Sequence, residues 1–78
     1  MQLLILTTKE KLLGKEVTRV NLPGSVGPFE VLKGHCALTS LLTTGHIIYY
    51  DAEGKHDISV TKGGVVAVAD DEVKVLLH

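Results

Sequence analysis

From Asp57 to Leu77 apolar side chains fall on alternate positions, and chain-reversing residues interrupt them every few steps. Ile58 and Val60 alternate with Asp57, Ser59 and Thr61. Val66 and Val68 alternate with Val65, Ala67 and Ala69, and Val73, Val75 and Leu77 with Glu72, Lys74 and Leu76. A period of two gathers one set of side chains on one face of a strand, whereas a helix needs a period near 3.6. Turn signals stand at Lys9-Glu10-Lys11, Gly14, Pro23-Gly24, Gly27-Pro28, Lys33-Gly34, Thr44-Gly45, Ala52-Glu53-Gly54, Lys62-Gly63-Gly64 and Asp70-Asp71. The strands are predicted near residues 2–7, 11–14, 16–22, 27–31, 37–41, 45–51, 56–61, 64–69 and 72–77. The best helical candidate, Leu38 to Thr44, is rich in threonine, and β-branching disfavours a helix there. The expected fold is all-β: a small flattened sandwich or barrel of about 8–10 short strands.

Seventy-eight residues make one domain, 1–78. A chain this short buries only about 60% of its unfolded surface. Aromatic residues are 4% of the chain, so aliphatic side chains must fill the core. The predicted inward set is Leu4, Leu6, Val20, Leu22, Leu41, Ile48, Val60, Val66, Val68, Val73 and Val75. The net charge of −1, from 8 basic and 9 acidic residues, gives no basic stripe for nucleic acid. The single cysteine, Cys36, rules out an internal disulfide and is read as a small buried thiol. Leu3–Leu6 is too short for a signal-peptide core, and no apolar run is long enough to span a bilayer.

Candidate chemistry is sparse. His35, His46, His56 and His78 lie far apart, unlike the short ligand spacings of zinc sites, so no metal is expected. His56, beside Asp57, and His78 read as exposed polar positions. His35 and Cys36 are adjacent and point to opposite sides of an extended chain, which argues against a nucleophile–base pair. The G-x-x-x-x-G-K-[ST] phosphate loop is missing, so direct ATP binding is not expected, nor any other cofactor. Gly24, Gly27, Gly34 and Gly64 are read as sites of tight turning or close backbone approach. Lys62 stands near a turn, where a hairpin-tip lysine would suit a lipoyl or biotinyl carrier. Its neighbours Thr61 and Gly63 differ from the residues such carriers place there.

The stretch Leu22–Gly45, LPGSVGPFEVLKGHCALTSLLTTG, is a glycine-punctuated loop running into a short apolar strand. Together with Leu3-Leu4-Ile5-Leu6-Thr7, Leu12 and Gly14, Glu16-Val17 with Val20, and Gly63-Gly64-Val65-Val66-Ala67-Val68 followed by Val73-Lys74-Val75-Leu76, it resembles the epsilon subunit of the rotary ATP synthase, in its N-terminal β-sandwich domain. The resemblance implies a noncatalytic rotor subunit of the central stalk, coupling the membrane c ring to the gamma subunit during proton-driven synthesis. It implies a peripheral position at the cytoplasmic face of a bacterial inner membrane or its equivalent.

The same resemblance assigns surfaces residue by residue. Ser25, Val26, Gly27, Pro28, Phe29 and Glu30 match the loop that meets the c ring. Val26 and Pro28 stand where the family pattern GSEGELG has acids, and Glu30 takes the place of the later glycine and is the candidate negative charge. Gly34-His35-Cys36-Ala37-Leu38 matches the P-G-H-x-P-L stretch, with Lys33 and Ala37 in place of its prolines. His35, Cys36, Leu38 and Ser40 are then the gamma contacts, although His35 could instead cap its own loop. Longer family members continue into a helical domain that can block hydrolysis. This sequence stops at His78, so coupling without that inhibition is expected. The alternative is a free-standing binding or carrier module.

Truncating an inward valine tests the predicted face. Val68→Ala should cost about 1–3 kcal/mol, read as a lowered denaturation midpoint; an unchanged midpoint would put Val68 on the wrong face.

Overall fold

The computed structural model describes all residues, Met1–His78. It holds nine strands and no helix: β1 (Gln2–Leu6), β2 (Lys11–Glu16), β3 (Arg19–Leu22), β4 (Phe29–Leu32), β5 (Leu38–Leu42), β6 (Gly45–Asp51), β7 (Gly54–Val60), β8 (Gly64–Ala69) and β9 (Glu72–Leu77). They form a five-stranded sheet, β2-β1-β9-β8-β5, and a four-stranded sheet, β4-β3-β6-β7. All strand pairs are antiparallel except β1 with β9. Parallel neighbours need a long crossover; here the crossover is the rest of the domain. The all-β sandwich expected from the period of two is the observed fold.

The core is a single cluster of 16 buried hydrophobic residues, and no polar or charged residue is buried with it. Val20, Leu22, Val60, Val66, Val68, Val73 and Val75 lie in it as expected. Leu4, Leu6, Leu41 and Ile48 do not. Leu3, Ile5, Leu42 and Ile47 are the inward residues of those strands. In each case two or more apolar residues are consecutive, so alternation cannot say which one turns inward. A one-residue slip exchanges the two faces of a strand. In β1 the choice is made by pairing with β9, where Leu3 sits beside Val73 and Ile5 beside Val75.

Strand boundaries differ from expectation where glycine does not mean a turn. β2 runs straight through Gly14 to Glu16, and the chain turns at Val17–Thr18 instead. That turn is fixed by tertiary hydrogen bonds. The Val17 N–H donates to the Met1 carbonyl and the Thr18 N–H to the Tyr50 carbonyl, both at 2.8 Å. Neither bond has a local sequence signature.

The registers place the turns at two ends of the sandwich. One end carries Thr7–Glu10, Pro23–Pro28, Thr43–Thr44 and Thr61–Gly63. The opposite end carries Val17–Thr18, Lys33–Ala37, Ala52–Glu53 and Asp70–Asp71. At the first end the two sheets are joined. Gly24 bridges to Leu42, the Ser25 N–H donates to the Leu41 carbonyl at 2.9 Å, and the Thr43 N–H donates to the Pro23 carbonyl at 2.8 Å. The edge of β5 is thus covered by the chain leaving β3, which closes one side of the sandwich toward a barrel and removes a bare strand edge.

Gly24 makes this closure possible. A Cβ there would lie 2.6 Å from the Gly27 carbonyl oxygen and 2.9 Å from the Phe29 ring. Gly24→Ala should destabilise the fold by about 1–3 kcal/mol, since backbone must move. The substitution should also speed amide exchange at Ser25 and Thr43, whereas exchange confined to global unfolding would show that the bridge is not strained.

Candidate functional site: an apolar sheet face between two loop ends

The two outer faces of the sandwich differ in chemistry. Paired residues of a sheet share a face, so the outer side of the five-stranded sheet is read directly from its registers. It carries Leu4, Leu6, Leu12, Leu41, Val65, Ala67 and Leu76, with Thr39 and Lys74 among them and Lys11, Gln2, Glu16 and Glu72 toward its margins. Leu41 is 61% exposed, Leu12 47% and Leu76 37%. Leu6, Thr39, Val65, Ala67, Lys74 and Leu76 surround a shallow dimple of ≈ 200 Å³. The outer side of the four-stranded sheet is mostly polar, with Leu32 and Ile48 its apolar residues. There Arg19 stacks over the Tyr50 ring at 4.0 Å and reaches Glu30 at 3.6 Å, and His46 Nδ1 meets Asp57 Oδ1 at 2.8 Å.

An apolar sheet face left open is a partner site until something covers it. Sequence reading passed over this one for the same reason it misassigned the core. The expectation that Leu4, Leu6 and Leu41 turn inward hides the outward stripe they form.

The segment Leu22–Gly45 does not make one surface. Ser25, Val26, Gly27 and Pro28 form a tip at the bridged end, with Val26 97% exposed. Phe29 is half-buried against the core and opens β4. Glu30 lies on the outer face of the four-stranded sheet, paired with Asn21 and facing Arg19. His35 and Cys36 lie at the opposite end of the molecule, in the loop before β5. Leu38 and Ser40 are half-buried on the inner side of β5, opposite Val68 and Val66. Thr39 and Leu41 are the outward residues of that strand.

Two further readings are corrected by the structure. Cys36 is exposed rather than a buried thiol, because it sits in the loop and not in a strand. Lys62 lies where the chain crosses from β7 in one sheet to β8 in the other, so it is not at a hairpin tip. His35 does cap its own loop, its Nδ1 lying 2.8 Å from the Cys36 carbonyl.

Opposite the bridged side, the sandwich is clasped by charge. Asp51, at the end of β6, has a side chain only 4% exposed, and its Oδ2 meets the Lys15 ammonium of β2 at 2.5 Å. Its Oδ1 accepts from the Glu53 N–H at 2.8 Å and contacts His56 Nε2 at 3.0 Å. His56 stacks on Tyr49 with ring centroids 4.9 Å apart. His56 is therefore half-buried and structural, not the exposed position expected from its neighbour Asp57. The nearby Lys15 ammonium, then the Glu53 N–H and His56, hold the Asp51 carboxyl well below its ordinary 3.8, against the opposing effect of burial. Asp51 in turn raises Lys15 above its ordinary 10.5.

The sequence profile of the ATP synthase Delta/Epsilon chain β-sandwich domain matches residues 1–78. The chain belongs to this family. It is 44% identical over 61 residues to the ATP synthase epsilon chain of Campylobacter jejuni, a match covering 78% of this chain and 47% of that one. It is 36% identical over 76 residues to the epsilon chain of Campylobacter concisus, covering 97% of this chain and 59% of that one. The chain thus spans about half the length of the curated relatives it matches. Among solved structures, a chain of the Euglena gracilis mitochondrial ATP synthase superposes with a TM-score of 0.86 at 24% identity, covering 96% of this chain and 48% of that one. A chain of the Tetrahymena thermophila enzyme's central stalk and c-ring structure gives 0.79 at 17% identity, covering 99% of this chain and 62% of that one. At such identities the superpositions speak for the fold.

The Asp51 clasp predicts a pH dependence of known sign. A carboxylate whose folded pKa is depressed adds stability above its ordinary value and loses it as pH falls through the folded value. Melting temperature should therefore fall as pH drops below 3.8. Asp51→Asn should melt lower at neutral pH and lose part of that acid slope. An Asn variant with the wild-type acid slope would assign the slope to other carboxylates.

Proposed function

We propose that this domain is the noncatalytic rotor module of an ATP synthase central stalk, a mechanical adaptor between the gamma subunit and the c ring during proton-driven synthesis. One observation carries the reading: a family β-sandwich whose larger sheet leaves an apolar stripe of leucine, valine and alanine open on its outer face. Such a face gives a partner area to bind against without any bond chemistry.

The gamma subunit lies on this face in our reading. Leu4, Leu6, Leu12, Leu41, Val65 and Leu76 supply the apolar contact. The loop before β5, with His35 and Cys36, forms one rim, and Thr39 and Leu41 of β5 face the partner beside it while Leu38 and Ser40 support them from the inner side. The bridged end, with Ser25 to Pro28 at its tip and Phe29 and Glu30 behind, faces the c ring. The module sits peripherally at the cytoplasmic face of a bacterial inner membrane or its equivalent. Torque transfer favours a body that does not deform, and close-packed interiors have low compressibility. The dry aliphatic core, the Gly24 bridge on one side and the Asp51 clasp on the other suit that load.

Leu41 and Leu76 test this directly because both are substantially exposed and their replacement leaves the core intact. Leu41→Lys and Leu76→Lys should each leave the melting temperature within about one degree, since exposed positions away from special features change stability little. Each should lower the yield of gamma subunit co-purified with this chain at least about tenfold, as expected for a charge placed in an apolar contact. Undiminished co-purification by both variants would move the gamma contact off this face.

A further inference from the structure

The apolar outer face has one charge near its middle. Lys74 on β9 is flanked by Leu4 of β1 and Ala67 of β8, and its side chain helps wall the dimple formed with Leu6, Thr39, Val65 and Leu76. Its nearest carboxylate is Glu72, on the same strand, at 3.9 Å. Both side chains remain about half exposed, so water still solvates the ammonium. A second ammonium, that of Lys11, lies over Gly14 at the edge of the same face, 3.3 Å from where a Cβ would stand.

Covering this face removes the water. An ammonium desolvated among leucine and valine without a close counter-charge is strongly unfavourable, and a side-chain pair at 3.9 Å across solvent does not offset that. Lysine can snorkel from a rim, but Lys74 has apolar strand neighbours on both sides. The face therefore admits a close partner only if that partner brings a carboxylate to Lys74.

We propose that Lys74 is a specificity-determining residue, and that the protein surface covering this sheet is apolar with an acidic side chain placed opposite Lys74. The occupant is a partner protein element, not a bilayer and not a second copy of this chain. The charge pattern favours it: Lys74 sits inside an apolar field and Lys11 at its edge, whereas the face's two acids, Glu16 and Glu72, both flank Gln2 at one end of the sheet, so the charge missing opposite Lys74 is negative and local. The proposal rests on the reading that the gamma subunit covers this face, and it names the chemistry of that contact.

The experiment is co-purification and titration of the co-expressed gamma subunit with variants of the full chain. Lys74 is half exposed, so Lys74→Met, Lys74→Arg and Lys74→Glu should all fold, checked by melting temperature. Lys74→Met keeps the apolar stem and removes the charge, which strands the partner's carboxylate. Affinity should fall at least about tenfold, the scale seen when one member of a buried charged pair is removed. Lys74→Arg should retain binding, and Lys74→Glu should abolish it. If Lys74→Met binds as tightly as wild type or more tightly, no carboxylate faces Lys74 and the proposal is overturned.

Leu41→Lys and Leu76→Lys separate this from the underlying reading. If they have no effect, gamma does not use this face at all; if they disrupt binding while Lys74→Met does not, the face is right and the counter-charge is wrong. Sedimentation velocity on the chain alone completes the test. A dimer dissolved by Lys74→Met would make a second copy the occupant, and pelleting with phosphatidylglycerol vesicles would make it a lipid surface. Either result overturns the proposal.

Discussion

The parallel pairing of β1 with β9 is the contact on which the domain depends. It joins the first strand to the last, so it forms only when everything between them has been placed. Loop closure over such a span carries a large entropic cost, and the return is the centre of the core. Leu3 and Ile5 sit beside Val73 and Val75, and all four are fully buried. This one register sets which face of β1 looks inward. Through the neighbouring pairs it sets the same for β2 and β8.

Around that centre the sandwich keeps polar chemistry at its margins. The interior holds no buried polar residue, while the two open sides are sealed differently. On one side backbone bonds through Pro23, Gly24 and Ser25 tie β3 to β5. On the other, the Asp51 carboxylate of β6 meets Lys15 of β2. A carboxylate this enclosed needs all of its partners, and Lys15, the Glu53 N–H and His56 supply them. Both seals link one sheet to the other, so they resist shear between the layers.

The two outer faces differ in chemistry. On the four-stranded sheet Arg19 stacks on Tyr50 and pairs with Glu30, and His46 pairs with Asp57. On the five-stranded sheet leucine, valine and alanine stand in the open with Lys74 and Lys11 among them. This asymmetry is the observation on which the proposed partner face rests. It also places the two candidate loops of Leu22–Gly45 at opposite ends, where they can touch different neighbours at once.

Alternation and turn chemistry in the sequence were enough to determine the number of strands, their order along the chain and the all-β class. They also assigned inward residues where apolar and polar positions strictly alternate, as in Val73–Val75. Family membership was legible from the order of short motifs spread over the whole chain. What alternation leaves undetermined is the face of a run such as Leu3-Leu4-Ile5-Leu6, Leu41-Leu42 or Ile47-Ile48. There both parities are apolar, and only pairing with a distant strand chooses between them. The open leucine face, the turn at Val17–Thr18, the Asp51 clasp and the separation of Ser25–Pro28 from His35–Cys36 were decided the same way. Each depends on contacts between residues far apart in the chain, and a period of two, being a local property, carries no information about them.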